Sequence, residues 1–367
     1  MNKTPALSRY SLYVMQSLYF GGSAGYLYPS LIIRSTDSAF WVPIVVWALL
    51  AAGGACLYSL ALGRVSLPMI PALRNHCGRI LSILLALPLL LFIGGAIIVL
   101  LRGYTEMITM TMLPRTPIAF LNGILLVPVL MASAGIMPIV RAARVFFLLT
   151  LMLSTVLMLL SFSDLDFSLG RPWLRTDGHF LGDAAFYASS YLWTGYVFTA
   201  LLGSYTGVAL RKFWQPSFLS ICCAMPYLLG VVYLPVLTFG PELSRQLILP
   251  YVSKLDSVYH YWIILENLTA VLLSNMMIYV LFVLSLKLHV MGQMLQDFFP
   301  SWRKRWIFGT LGVVMYTASV MIPSWAALIH LLHLMTGLRL YAMFGFPLLA
   351  LTAFAVSARV QRRREAA

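Results

Sequence analysis

The chain is 367 residues long, 61% hydrophobic and only 10% charged, with a formal net charge of +14. Soluble domains carry about 25% charged residues, so this composition excludes an ordinary water-soluble fold. The apolar runs reach the roughly 20 residues that a helix needs to cross a bilayer. Barrel-like alternation of polar and apolar residues is absent, which leaves helices to satisfy the backbone in lipid.

The expected fold is an all-α integral membrane protein of about ten transmembrane helices. The spans fall near 10–33, 40–62, 80–101, 117–135, 142–161, 184–207, 216–237, 259–286, 306–325 and 337–358. The first is not expected to be a cleaved signal peptide, because its positive start is weak (Lys3, Arg9) and it runs into a Gly-rich core. With the N-terminus in the cytoplasm, roughly two thirds of the Lys and Arg residues fall on the inner side. The positive-inside rule therefore favours two cytoplasmic termini, with a basic tail at 359–367. In this reading Lys287 belongs to an inner loop, Arg102 and Arg339 belong to outer ones, and no Lys or Arg lies in the middle of a span. The basic residues orient the chain against the lipid bilayer and contact anionic lipid; nucleic acid is not an expected partner.

Span one reads "SLYFGGSAGYLYPSLI". Three glycines in five residues each cost a helix about 1 kcal/mol relative to Ala, and Pro29 follows. A break is expected over Gly21, Gly22, Ser23, Ala24 and Gly25. The same letters spell G-x-x-x-G, a packing motif of membrane helices, and that alternative stays open. They also spell G-x-S-x-G, but the hydrolase elbow needs a strand before it, and here the motif is inside an apolar span. No enzymatic activity is expected.

Between spans two and three, "GRVSLPMIPALRNHCGRI" reads as an amphipathic segment along the inner surface. Span five carries Thr150, Ser154 and Thr155 but no ionisable group in its core. The longest outer connection is residues 163–183, which either covers an outer vestibule or is a plain solvated loop. Span six, "YASSYLWTGYVF", repeats the small-residue pattern of span one, and a second break is expected near Ser190–Gly195.

Ten spans with both ends inside divide into two halves, about 10–161 and 184–358, that enter the membrane from opposite sides. If the halves share a fold they form a five-plus-five inverted repeat within one transmembrane domain, with ligand bound where the first helix of each half is broken. An amino acid then finds donors for its carboxylate at the backbone N–H groups of Gly22, Ser23, Ala24 and Gly25. Its ammonium finds acceptors around Tyr191, Thr194 and Gly195, and Trp193 or Tyr196 covers its side chain.

Glu266 is the acidic residue placed within an apolar span, roughly 10 Å below the outer end of span eight. A carboxylate there needs a partner, a proton or water, and a polar-network role is expected. His330 and His333 share a helix face but have no third ligand nearby, so no metal and no cofactor are expected. Cys56, Cys222 and Cys223 fall in spans and Cys77 in an inner loop, which implies no disulfide framework.

The stretch "LPYVSKLDSVYHYWIILENL" resembles the segment leading into the eighth helix of the spore germination permease family, the B subunits of germinant receptors. Leu265-Glu266 matches the start of that family's F-L-E-R-x-E-like motif, with Asn267 and Thr269 standing where Arg and the second Glu would be. "GGSAGYLYPSL" resembles its Gly-rich first helix, and "WTGYVF" its helix-six element, with Val197 in place of Glu. The resemblance implies the amino acid–polyamine–organocation superfamily and a broken-helix inverted repeat. It also implies a small germinant such as an amino acid, A and C partner subunits, and the spore inner membrane or cell membrane. A permease that carries amino acids is the alternative.

Overall fold

Gly25 and Tyr26 interrupt the first helical segment, and similar interruptions recur along the chain. The computed structural model describes residues 7–65, 69–175, 178–202, 212–258 and 268–365, with the side chains of 358–365 excepted. All regular structure among them is helical. The first expected span is α1 (Arg9–Ala24) followed by α2 (Leu27–Ser35). Ser8 opens α1 by accepting the Ser11 N–H at 3.2 Å, the usual role of a serine at a helix start. Then come α3 (Trp41–Leu62), the surface helix α4 (Met69–Cys77) and α5 (Arg79–Thr111). The fourth span is interrupted, as α6 (Ile118–Asn122), a 3₁₀ turn and α7 (Leu126–Ala134). It is followed by α8 (Ile136–Leu160).

The second half begins with α9 (Ala184–Ser189), a 3₁₀ turn over Ser190–Thr194, and α10 (Gly195–Leu201). Next are α11 (Trp214–Gln246), which kinks at Gly240 where φ is +80°, and the short α12 (Pro250–Asp256). The last elements are α13 (Leu268–Phe298), α14 (Lys304–Val320), α15 (Trp325–Leu334), α16 (Thr336–Leu340), a π turn and α17 (Phe346–Glu365).

Six helices among the described residues are long and apolar enough to cross a membrane, seven if the pair α14 and α15, bent by 120°, is one span. The chain is thus a multi-pass membrane protein. Among the described residues the first, fourth and sixth expected spans are each interrupted.

Two boundaries differ from the sequence reading in ways that matter. α5 continues to Thr111, so Arg102 and Glu106 sit on one helix face, joined by a 2.6 Å ion pair, rather than in an outer loop. α13 continues to Phe298, which draws Lys287 into the helix interior. Of the most apolar stretch of α13, 67% is buried, against 22% for α8. α13 is therefore the central pillar, packed on α1, α5, α7, α8 and α14, while α8 presents most of its surface outward. The connection at 163–183 is anchored: the Trp41 indole donates to the Trp173 carbonyl at 2.8 Å, and the Trp173 ring stacks on Tyr233.

Candidate functional site

The first break is short. α1 remains helical through Ala24, and the turn is made by Gly25 (φ −79°, ψ −13°) and Tyr26 (φ −119°, ψ −67°). Pro29 then lies in the first turn of α2, where its missing N–H costs nothing. The backbone N–H groups of Gly22, Ser23 and Ala24 are therefore inside α1 rather than free, which corrects the expectation that they form an anion site. The first N–H groups of the second piece belong to Leu27 and Tyr28.

Gly21 and Gly22 serve packing. A Cβ on Gly21 would lie 2.3 Å from the Tyr279 ring, and one on Gly22 2.9 Å from Tyr279 Cβ. The G-x-x-x-G alternative thus accounts for how closely α1 approaches α13. A Cβ on Gly25 would meet the end of the flexible Met276 side chain at 3.2 Å and the Tyr227 hydroxyl at an ordinary 3.8 Å.

The second break follows from hydroxyls competing for helical carbonyls. Ser189 donates to the Phe186 carbonyl at 2.7 Å, Ser190 to that of Tyr187 at 2.6 Å, and Thr194 to that of Tyr191 at 2.9 Å. The chain tightens into a 3₁₀ turn and re-enters an α-helix at Gly195. The ring of Tyr19 lies directly over Gly195, so that a Cβ there would be 2.9 Å from Cγ of the ring.

The two breaks face each other and are bonded together. The hydroxyls of Tyr19 and Thr194 are 2.8 Å apart, and the Tyr191 hydroxyl donates to the Ser23 carbonyl. Between them is a cavity of about 20 Å³ whose polar wall is Tyr19, Ser23, Tyr26, Tyr191 and Thr194. Phe92 and Ala96 of α5 and Met335 before α16 supply apolar walls. A water needs about 10–15 Å³ of such space, so this conformation is closed around room for roughly one water.

Lys287 of α13 and Arg339 of α16 complete the lining. They are 3% and 2% exposed, which corrects the expectation that spans carry no Lys or Arg in their interior. The Lys287 ammonium donates to the Ala96 carbonyl at 3.2 Å and rests 5.2 Å and 5.4 Å from the ring centres of Tyr19 and Phe198. Arg339 donates to the carbonyls of Ala188, Tyr187 (3.4 Å) and Leu332 (2.7 Å) and to the Ser190 hydroxyl (3.1 Å). It clamps the carbonyls that the second break releases.

Of the residues expected at a ligand site, Ser23, Tyr191 and Thr194 line this cavity. Ala24 is buried in α1. Trp193 is buried between Phe20 and Tyr28, and Tyr196 packs on Tyr58 and donates to the Met343 carbonyl at 3.3 Å. Gly21 borders a different cavity of about 310 Å³ between α1, α8, α11 and α13. Its rim includes the exposed Leu151 and Leu159, so it opens on the outer face of the bundle. Glu266 lies outside the described residues.

Tyr19, Tyr26, Lys287 and Arg339 are the polar cavity residues that the sequence reading missed. A signal for the two cations exists: "LSLKLHVM" and "GLRLYAM" are apolar on both sides of the charge.

This arrangement has relatives among solved structures. The chain is similar to MhsT, solved in complex with L-phenylalanine, at 15% identity and TM-score 0.62, covering 97% of this chain and 90% of that one. It is similar to a Na⁺-coupled sialic acid symporter, solved substrate-bound and outward-open, at 12% identity and TM-score 0.61, covering 91% and 79%. These likenesses show that the chain shares its overall fold with these two proteins. No curated protein matches the chain in sequence. The family described as "Spore germination protein" matches residues 6–325.

Proposed function

Because this chain belongs to the spore germination protein family, we propose that it is the nutrient-sensing B subunit of a germinant receptor. Its central cavity binds a small germinant, and the resulting shift of the broken helices is passed to A and C partner subunits. The observation that carries this reading is the direct hydrogen bonding between the two helix breaks around a closed, polar-walled cavity. Breaks placed in this way are where transporter folds hold their solutes. A ligand that enters must part the Tyr19–Thr194 and Tyr191–Ser23 bonds, so binding is coupled to movement of both helices. The topology proposed with it has both termini in the cytoplasm and the five-plus-five repeat.

A working permease is the second reading, favoured by the solute-bound relatives of the fold. Against ion-coupled transport, α8 has no ionisable residue past Arg144, and its Ser154 oxygen is already engaged. Ser154 lies 3.1 Å from the Tyr279 hydroxyl and accepts from the Asn275 amide at 2.9 Å.

The test is thermal unfolding of the purified protein across a panel of small nutrients, followed by uptake of any hit into vesicles. Stabilisation without uptake, with co-purification of partner subunits, is expected. Failure of every nutrient to stabilise would refute the binding reading, and uptake against a gradient would replace the sensor by a permease.

A further inference from the structure

Among the described residues, the cavity between the helix breaks is lined by two buried cations and no acid. Lys287 and Arg339 both line it, and no carboxylate does among the described residues. Neither cation makes an ion pair with any described residue. Ionisable side chains inside membrane bundles face cavities and mark solute paths, and buried charges are ordinarily paired. The excess here is on one side only.

We infer that this cavity selects a small carboxylate anion of net negative charge over a zwitterionic or neutral nutrient. The inference rests on the reading of the cavity as the ligand site and names the class of ligand.

Three observations carry it. First, an ammonium has three donors, and Ala96 is the one hydrogen-bond acceptor that Lys287 meets among the described residues. Its remaining donors are available to a carboxylate beside Tyr19. Second, the Tyr26 hydroxyl is buried in the same wall with no hydrogen-bond partner among the described residues. A buried donor left unpaired is costly, and a carboxylate oxygen accepts from it.

Third, the backbone carbonyls that a zwitterion's ammonium would use are each already bonded to one of the protein's own donors. Arg339 holds the carbonyls of Tyr187 and Ala188, the hydroxyls of Tyr19 and Thr194 hold that of Tyr191, and the Tyr191 hydroxyl holds that of Ser23. The guanidinium already stands where a ligand ammonium would make its bonds. An incoming neutral amino acid brings an ammonium with its carboxylate and so adds no net counter-charge to two cations that have none among the described residues. An anion supplies that counter-charge.

The experiment is thermal unfolding of the purified full chain in detergent with matched ligand pairs. L-aspartate is compared with L-asparagine, which differs by one charge at nearly equal shape, and succinate with succinamide; L-alanine and L-leucine stand for neutral nutrients. Succinate is expected to raise the melting temperature most and aspartate, which keeps an ammonium, less; the amides and neutral amino acids are expected to be at least tenfold weaker than succinate in apparent Kd. Lys287→Met should remove that preference and Lys287→Arg should keep it. If alanine or leucine stabilises while the anions do not, this inference falls and the central binding site stands. If no compound of either class stabilises, both fall. Anion binding that is undiminished in Lys287→Met would also overturn it, leaving Lys287 as packing against the Tyr19 and Phe198 rings. The wild-type comparison of succinate with succinamide, neither of which carries an ammonium, decides the question even if Lys287→Met does not accumulate.

Discussion

The hydroxyl of Tyr19 on α1 lies 2.8 Å from the hydroxyl of Thr194 in the 3₁₀ turn between α9 and α10. The two residues come from opposite halves of the chain, and each sits beside a helix interruption. The ring of Tyr19 also covers Gly195, stacks on Phe198 at 5.6 Å and underlies the Lys287 ammonium. One side chain thus joins both breaks, the cavity and its cation.

Tyr19→Phe removes the bond to Thr194 and keeps the ring. A buried hydrogen bond contributes about 1 kcal/mol net, so a modest fall in stability is expected, with closure around ligand weakened. Tyr19→Ala also removes the ring and should cost about 3–5 kcal/mol. Thermal unfolding of both variants checks this; equal effects would show that the ring contributes nothing.

Gly21→Ala and Gly22→Ala should each destabilise by about 1–3 kcal/mol through overpacking. The new methyl meets the Tyr279 ring at 2.3 Å or Tyr279 Cβ at 2.9 Å, and α1 must move away from α13. Gly25→Ala makes its tight contacts with the end of the Met276 side chain, 3.2 Å to the sulfur, which a rotamer change relieves, and should be nearly neutral. The bulkier Gly25→Leu should abolish the ligand response at normal protein level. Similar melting temperatures for all three alanine variants would contradict the packing assignment.

Arg339→Gln releases the carbonyls of Tyr187, Ala188 and Leu332 together. Each buried unsatisfied group costs about 1–3 kcal/mol, so the turn over Ser190–Thr194 should loosen and unfolding should come early. Arg339→Lys should restore little, because a point charge cannot reach several carbonyls as the planar fork does. Hydrogen exchange of residues 187–195 reads the local effect.

Arg102 and Glu106 form a 2.6 Å pair, with side chains 3% and 14% exposed. Removing either partner of a buried pair costs about 3–5 kcal/mol because the other is left uncompensated. The double variant Arg102→Met with Glu106→Gln should therefore be more stable than Arg102→Met alone. A double-mutant cycle with additive effects would show that the two charges are not coupled.

Cysteines introduced at Asp177 and Arg363 should label from opposite sides of the membrane. The motivation is the bias of Lys and Arg toward one side of the spans. Labelling of both from one side would reject two cytoplasmic termini.

Composition and run length alone determined that the chain is a helical membrane protein. A backbone in lipid has no other partner for its polar groups, so this follows from the letters without any knowledge of packing. The two interruptions were legible for a similar local reason: glycines, a proline and clustered hydroxyls weaken a helix wherever it is placed. What these interruptions enclose was not legible. Lys287 falls just past residue 286, where the eighth expected span ends, and so reads as a loop residue. It is buried because α13 continues past it and because Ala96, Tyr19 and Phe198, from three other helices, close around it. Arg339 likewise reads as an outer charge, yet the carbonyls it binds belong mostly to α9, about 150 residues earlier in the chain. Whether a glycine marks a break or a close contact depended on Tyr279 in the same way. Burial and pairing belong to the neighbours a residue acquires, and those neighbours are set by the tertiary fold.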